Sequence, residues 1–247
     1  MKRLFALPLA CLCLSAAAQQ TSGLIAYEQT ISIDVGKSEG IPDALAEMLG
    51  KPQKTEKLLH FNTGAALYEN KEKGDEDKEE LSEGDMKISI SRTMPEEKTY
   101  LNLETKALIE EKDLMGRKFL VTGTSNNHQW KTTGRQKKIL DRACMEAVAG
   151  KGTEDSITVW YTPDIPVSAG PAGLSGLPGM ILEASIGKHI HLLATGIEAD
   201  PGGGKSIKEP TKGKKITGEE FARLAKEKEE EMKKQYGGGK GQVIIIK

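Results

Sequence analysis

Short runs in which apolar and polar residues alternate recur along most of the chain. In "GLIAYEQTISIDV" (23–35) apolar side chains fall at even spacing, which is the pattern of a strand with one buried face. "EKLLHFNT" and "AALYENK" (56–71) flank an Asn-Thr-Gly turn and are typical of a hairpin. Further runs of this kind cover residues 86–92, 98–104, 106–112, 117–123, 128–140, 156–162, 180–186 and 189–199. Many short strands separated by turns predict a meandering antiparallel sheet of about eight to eleven strands.

Two segments break this pattern and predict helices. "GIPDALAEMLG" has helical spacing and a terminal glycine, so we expect a short helix over 41–49. Residues 216–236 carry a capping-box pair, Thr217 and Glu220, and a narrow apolar stripe, which predict an exposed charged helix. "GQVIIIK" (241–247) predicts a last strand after it. The expected fold class is therefore mainly β: a curved antiparallel sheet, as a half-barrel or open barrel, with a few covering helices.

Charge adds little to this picture. The chain has 35 basic and 36 acidic residues and a formal net charge of −1. No global field favours nucleic acid or an anionic membrane, so we expect no nucleic-acid partner. The segment 72–84 is too polar to bury anything and predicts a mobile charged loop. Aromatic residues make up 4% of the chain, too few for a stacking platform for sugars or single-stranded nucleic acid.

Residues 1–18 have the layout of a secretory signal peptide: a basic start, an apolar run and then small residues. Cleavage is expected between Ala18 and Gln19. The apolar run is too short for a membrane-spanning helix, so we expect no transmembrane anchor. These features predict an exported protein, either periplasmic, outer-membrane associated or secreted. Its residues 19–247 would form a single β-rich domain.

Export would remove two of the three cysteines, Cys11 and Cys13, and leave Cys144. Lipid attachment at Cys11 or Cys13 is an alternative, although neither follows the small residues that such a site needs. A single cysteine cannot form an internal disulfide, so the chain must rely on a hydrophobic core. A free cysteine usually behaves as a small apolar residue, and we expect Cys144 to be buried rather than to act as a reactive thiol.

The segment "WYTPDIPVSAGPAGLSGLPGMILEASI" (160–186) is rich in proline and glycine, yet it begins and ends like a strand. Pro163 and Pro166 lack an amide hydrogen and hold the chain extended, so this path cannot run through the middle of a sheet. The glycines allow close approach of backbone to backbone. We expect a rigid crossover loop that lies on the sheet and inserts Leu177 or Met180 into the core.

The same segment resembles the motif of the GLPGLI family of exported Bacteroidetes proteins. Gly176-Leu177-Pro178-Gly179-Met180-Ile181 is similar to the hexapeptide that names this family. "ILDRACMEA" (139–147), which contains Cys144, is similar to the family's cysteine segment. The upstream positions that share the resemblance are Trp160, Tyr161, Thr162, Pro163, Ile165, Pro166, Gly170 and Pro171. In all, the resemblance spans roughly residues 23–199.

Three departures from the family pattern stand out. Asp141 stands where the family often has glycine, and 172–174 (Ala-Gly-Leu) replaces bulkier, often aromatic residues. Met180 replaces leucine, which conserves volume. The family has no established activity. By analogy the resemblance implies a half-barrel of the LolA/LolB carrier type, in which helices cover a curved antiparallel sheet.

No catalytic constellation is recognisable, so we expect neither an enzyme activity nor a cofactor. His189 and His191 alternate along a predicted strand and would face one side, as two metal ligands could. A third ligand, His60 or Met180, would have to come from elsewhere. Histidines on a solvated strand face explain the same pattern, and we favour that explanation over a metal site.

Three hypotheses about function follow. The first is a noncatalytic envelope module that binds or carries an apolar small molecule, a lipid or a peptide on a concave sheet face. The second is a partner of an outer-membrane transport complex of the TonB-dependent type, acting through exposed strand edges and the charged helix. The third is a metal-handling protein that uses His189 and His191.

Overall fold

The computed structural model of the protein describes residues 20–32, 50–71, 77–83, 86–92, 97–125, 128–150, 152, 156–199 and 207–236. The strands in these residues are β1 (Gly23–Ile31), β2 (Gln53–Phe61), β3 (Ala65–Asn70), β4 (Asp77–Glu83), β5 (Met86–Arg92), β6 (Lys98–Asn102), β7 (Ala107–Leu114), β8 (Arg117–Thr124), β9 (Lys131–Ile139), β10 (Arg142–Ala149), β11 (Ile157–Thr162), β12 (Met180–Ile186), β13 (Ile190–Glu198) and β14 (Lys214–Thr217). A helix, α1 (Gly218–Tyr236), follows β14 directly, and a 3-10 turn lies at Pro171–Gly173.

Twelve of these strands form one open, curved sheet in the order β14-β8-β7-β6-β3-β2-β1-β13-β12-β11-β10-β9. Neighbouring strands are antiparallel, except that β14 runs parallel to β8. β4 and β5 form a separate hairpin. The predicted mainly-β fold with a curved sheet is confirmed, although the sheet exceeds the predicted eight to eleven strands. The pattern did not reveal β14 because Ile216 is its only buried residue.

One face of the sheet, which we call the inner face, carries the core. Ile25 and Tyr27 of β1 are fully buried on this face, and the register places Tyr27 between Lys57 of β2 and Ala194 of β13. The same alternation gathers buried apolar side chains from β1–β3, β6 and β9–β13 into one cluster. The segment 163–179, which we call the motif loop, lies against this cluster and adds buried side chains of its own.

α1 covers the inner face near the β14 end of the sheet. The Phe221 ring packs edge-on against Phe119 of β8, with 5.9 Å between ring centroids. Phe119 lies directly across from Lys112 of β7 and so shares its face of the sheet. The Lys112 ammonium lies 5.7 Å from the Phe221 ring centroid. Among the residues that the structure describes, two segments therefore cover the inner face, the motif loop at one end and α1 at the other.

The helix predicted over 216–236 is confirmed as α1, and its start is the predicted capping box. The Glu220 amide donates to Thr217 Oγ1 at 3.2 Å, and the Thr217 amide donates to Glu220 Oε2 at 2.8 Å. These reciprocal bonds satisfy two amides that have no partner inside the helix.

The segment 72–84, predicted as a charged loop, is partly a strand. Residues Asp77–Glu83 form β4 and pair with β5, because ladder hydrogen bonds between backbones do not require apolar side chains. The helix predicted at 41–49, the strand predicted at 241–247 and the predicted leader at 1–18 lie outside the described residues.

Replacing Gly179 with valine should destabilise the fold. A Cβ at Gly179 would lie 2.1 Å from the carbonyl oxygen of Thr162, a backbone atom that cannot swing away. We expect Gly179→Val to lower the free energy of unfolding by at least ~1–3 kcal/mol, as measured by urea denaturation. Gly123→Val is the matched control, because a Cβ there meets nothing within 4 Å and valine suits a strand. Equal stability of the two variants would contradict a structural role for the motif loop.

Candidate binding site at the tip of the motif loop

The motif loop is held on the inner face by backbone hydrogen bonds. The amides of Met180 and Ile181, at the start of β12, donate to the carbonyls of Ile165 at 3.0 Å and Ala169 at 2.9 Å. Between these points, the Val167 amide donates to Ile165 and the Ala169 amide donates to Val167, both at 2.8 Å. The backbone that leaves the sheet at the prolines therefore finds partners within the loop, as buried backbone requires.

Side chains of the motif loop complete the core beneath it. Ile165 and Val167 are buried, whereas Pro166 between them is exposed. The predicted burial of Leu177 and Met180 is confirmed, and Trp160 is half-buried as expected. The other family-motif positions divide into buried residues, Tyr161, Thr162, Gly170, Pro171, Gly179 and Ile181, and exposed residues, Pro163, Gly176 and Pro178.

Two aromatic side chains hold the motif loop and the start of β12, into which the loop leads. The fully buried Tyr27 donates its hydroxyl to the Ile181 carbonyl at 2.6 Å. Burial raises the pKa of Tyr27 well above its usual value, so the phenol stays protonated as a donor. Trp130 Nε1 donates to the Ser175 carbonyl at 2.8 Å. Sequence reasoning did not single out Trp130, although it is one of two tryptophans in a chain with few aromatic residues.

A cavity of about 160 Å³, which we call the tip cavity, lies where the loop turns back at Ala172. Strands that are distant in the sequence form its walls, because the sheet order places β1 and β13 side by side, with β12 beyond β13 and with β3, β6 and β7 on the other side of β1. Its apolar wall consists of Ile186, Ile190 and Leu192. Its polar wall consists of Gln29, Tyr68, Glu97, Lys98, Thr99, Glu110, Glu111 and Lys112.

The polar groups of the tip cavity are partly paired with one another. The Tyr68 hydroxyl donates to Gln29 Oε1 at 3.3 Å, and Lys112 Nζ lies 3.0 Å from Glu110 Oε1. Burial raises the pKa of Tyr68, so this hydroxyl remains a donor at any physiological pH. An apolar wall opposite a few hydrogen-bonding groups can orient a small bound molecule.

A second, more charged cleft of about 430 Å³ lies on the opposite face of the sheet, beside the connector 208–212. Its floor carries two ion pairs, Lys98 with Glu69 at 2.6 Å and Lys118 with Glu111 at 3.0 Å. Because these floor charges already neutralise one another, the tip cavity is the stronger candidate for an apolar ligand.

The two candidate metal ligands contact different groups. His189 lies in the turn before β13, and its Nδ1 is 2.9 Å from the Ser32 carbonyl oxygen. His191 lies on β13, and its Nε2 is 3.3 Å from Glu183 Oε1.

Neither proposed third ligand joins these histidines. Met180 is fully buried in the core, and His60 Nε2 lies 3.5 Å from Glu69 Oε1. Hydrogen bonds from His60 and Lys98 lower the pKa of Glu69 to about 2. Within the part of the chain that the structure describes, no three His, Cys, Asp or Glu side chains are grouped as a metal site would require.

The motif loop is also where the chain matches a known family. Residues 151–183 match the model of a family described as "Protein of unknown function (Porph_ging)". The match spans the end of the β10–β11 connection, β11, the motif loop and the start of β12. No curated protein matches the chain.

Solved structures of PNGF-II have a similar fold. One, in space group P21, superposes with a TM-score of 0.54 at 15% identity and covers 83% of this chain and 33% of that chain. Another, in space group C2, gives a TM-score of 0.54 at 16% identity and covers 83% of this chain and 32% of that one. The chain thus spans about a third of the PNGF-II structures. This likeness supports the β-rich fold and lends no support to the narrower LolA/LolB analogy.

None of the helices in the described ranges is long and apolar enough to cross a membrane.

The buried thiol of Cys144 should react slowly with thiol reagents. Cys144 is fully buried and unpaired, as predicted, and its Sγ lies 3.6 Å from the Arg142 carbonyl oxygen. Burial raises the pKa of Cys144 to about 11, so little of the reactive thiolate forms until the pH approaches that value. We expect maleimide labelling at neutral pH to be much slower in the native protein than in urea-unfolded protein. Equal labelling rates would contradict the buried environment.

Proposed function

We propose that this chain is an exported, noncatalytic binding module that receives a small apolar ligand, or one side chain of a peptide, in the tip cavity. One observation carries the proposal: the motif loop and α1 cover the two ends of the inner face and leave this cavity between them. The leader pattern of residues 1–18 supports export.

The size of the tip cavity limits the ligand. Pockets for drug-sized molecules usually enclose about 300–1,000 Å³, whereas an apolar cavity of about 150 Å³ holds a molecule the size of benzene. At about 160 Å³, the tip cavity suits a short aliphatic or single-ring group and is too small for a lipid acyl chain. Of the ligands considered from the sequence, a small molecule or a peptide side chain therefore fits better than a lipid.

A second candidate function is supported by the free edge of β9. In the described part of the sheet β9 pairs only with β10, and most of its side chains are exposed. Lys131 and Lys138 form no ion pair with any described residue. An acidic extended segment of an outer-membrane transport protein could continue the sheet here and meet these lysines. Lysines on an edge strand also prevent unwanted pairing, so only an experiment separates the two roles.

Filling the tip cavity should abolish ligand retention without unfolding the protein. Ala172 lies at the exposed loop tip with φ +52°, so Ala172→Phe and the matched control Ala172→Ser carry the same backbone strain. We expect native mass spectrometry of protein purified from its own envelope to detect a retained small ligand in wild type and Ala172→Ser. Ala172→Phe should lose this ligand while keeping its melting temperature within a few degrees. A wild-type protein without ligand, or equal retention by all three, would rule out the cavity as the binding site.

The β9 edge can be tested by photo-crosslinking in cells. A photoreactive amino acid at the exposed Thr132 of β9 should yield a crosslinked partner in the envelope. The same amino acid at the exposed Thr195 of β13, a strand with neighbours on both sides, should not. The double substitution Lys131→Glu and Lys138→Glu should weaken the crosslink at Thr132 by charge reversal. Absence of a crosslink at Thr132 would remove the second candidate.

A further inference from the structure

A lysine is buried on the inner face next to the tip cavity. Lys57 of β2 lies across from the core residue Tyr27, and its side chain is 5% exposed. Its Nζ lies 5.9 Å from the ring centroid of Tyr68, which lines the cavity. Burial in these surroundings lowers the pKa of Lys57. Burying an ammonium group costs free energy unless the group is well paired. The partners of Lys57 therefore indicate whether the site lacks an anion.

The partners of Lys57 do not neutralise it well. Its closest partner is the amide oxygen of Asn70, which carries no net charge. The one carboxylate that the described residues bring near it is Glu97, at 3.9 Å, and the Glu97 side chain is half exposed. Glu97 also lines the tip cavity. The cavity wall thus includes the one carboxylate that the described residues place near Lys57, held at a distance too long for a hydrogen bond.

A second polar group near Lys57 lacks a partner. Thr55 Oγ1, two residues before Lys57 on the same face of β2, is buried without any hydrogen bond among the described residues. Thr55 pairs across the sheet with Gln29, whose side chain accepts from Tyr68 in the cavity wall. A buried hydroxyl without a partner is unusual in proteins. The incompletely neutralised ammonium of Lys57 and the unpaired hydroxyl of Thr55 therefore both lie beside the polar wall of the tip cavity.

We propose that Lys57 anchors the carboxylate of a small amphipathic ligand whose apolar part lies in the tip cavity. Ile186, Ile190 and Leu192 would contact the apolar part. The Thr55 hydroxyl, which has no hydrogen-bond partner among the described residues and shares a face of β2 with Lys57, is a further donor for the carboxylate. This inference rests on the proposed function and specifies the ligand class for the same site.

The charges around the cavity favour a carboxylate over a phosphate. The two lysines that line the cavity are already paired, Lys112 with Glu110 at 3.0 Å and Lys98 with Glu69 at 2.6 Å. The carboxylates of Glu97, Glu110 and Glu111, which also line it, would repel a dianion. The incompletely neutralised ammonium of Lys57, beside the wall, matches a ligand with a single negative charge.

Hexanoate and its neutral analogue hexanamide are suitable probes, with affinities measured by isothermal titration calorimetry. We expect wild type to bind hexanoate about tenfold or more tightly than hexanamide, because the ammonium interacts with the charge. Lys57→Met, which keeps the apolar stem, should abolish this preference. Lys54→Met is the matched control: Lys54 is exposed on the same strand and pairs with Glu28, so its loss should leave the preference unchanged.

Glu97→Gln provides a second variant that keeps Lys57 in place. If Glu97 competes with the ligand carboxylate, Glu97→Gln should strengthen hexanoate binding several-fold and leave hexanamide binding unchanged. This variant decides the question even if Lys57→Met fails to fold.

The outcomes separate this inference from the proposed function. Equal binding of hexanoate and hexanamide by wild type, or an unchanged preference in Lys57→Met, would overturn the carboxylate anchor and leave the cavity intact as a site. Absence of hexanoate binding by wild type would also overturn it. Loss of the proposed function would instead appear as equal ligand retention by the Ala172 variants, whatever the probes do.

Discussion

The arrangement of the whole molecule depends on how the inner face of an open sheet is kept from water. A closed barrel buries its own interior, but an open sheet exposes one apolar face unless another layer packs on it. A loop can form that layer only if its buried amides and carbonyls find partners. The bonds from Met180 and Ile181 to Ile165 and Ala169 provide them, because they pair the first half of the loop with the strand that follows it.

The motif loop is a thin cover, which explains why it is rich in glycine and why it does not fill the tip cavity. The backbone touches the sheet directly: a Cβ at Gly170 would lie 2.7 Å from Ile181, and one at Gly173 would lie 2.8 Å from Leu108. A loop pressed so closely to the sheet has little side-chain volume at its tip, where Ala172 stands. The space between the tip and α1 is therefore left open, and polar strand residues such as Tyr68 line it.

Local pattern predicted most of the strands, though not β4, β10 or β14, and the path of the motif loop, because both depend on residues close in sequence. Period-two alternation marks a strand, and Pro163 and Pro166 exclude a central strand wherever they fall. The tip cavity could not be predicted in this way, since Gln29 and Leu192 meet only through the register of β1 with β13. Lys57 was missed for the same reason: in "QKTEKLLHF" it has the spacing of a polar strand residue, and its place between Tyr27 of β1 and Asn70 of β3 follows only from the strand register.

The short family match includes the loop that covers the core but almost none of the residues that line the cavity. Residues 151–183 contain β11, the motif loop that covers the core, and the start of β12. Ala172 is the one residue of the tip cavity that lies within the match; Tyr68, Lys112 and the apolar wall lie outside it.

Proteins that share only this stretch would keep the covering loop, because its glycines and prolines are fixed by contact with the sheet. Their cavities can differ, since most of the wall residues project from strands outside the motif, and pairing of those strands does not fix which side chains they carry. The motif therefore indicates how the sheet is covered, and the identity of the ligand depends on strand residues that the motif does not include.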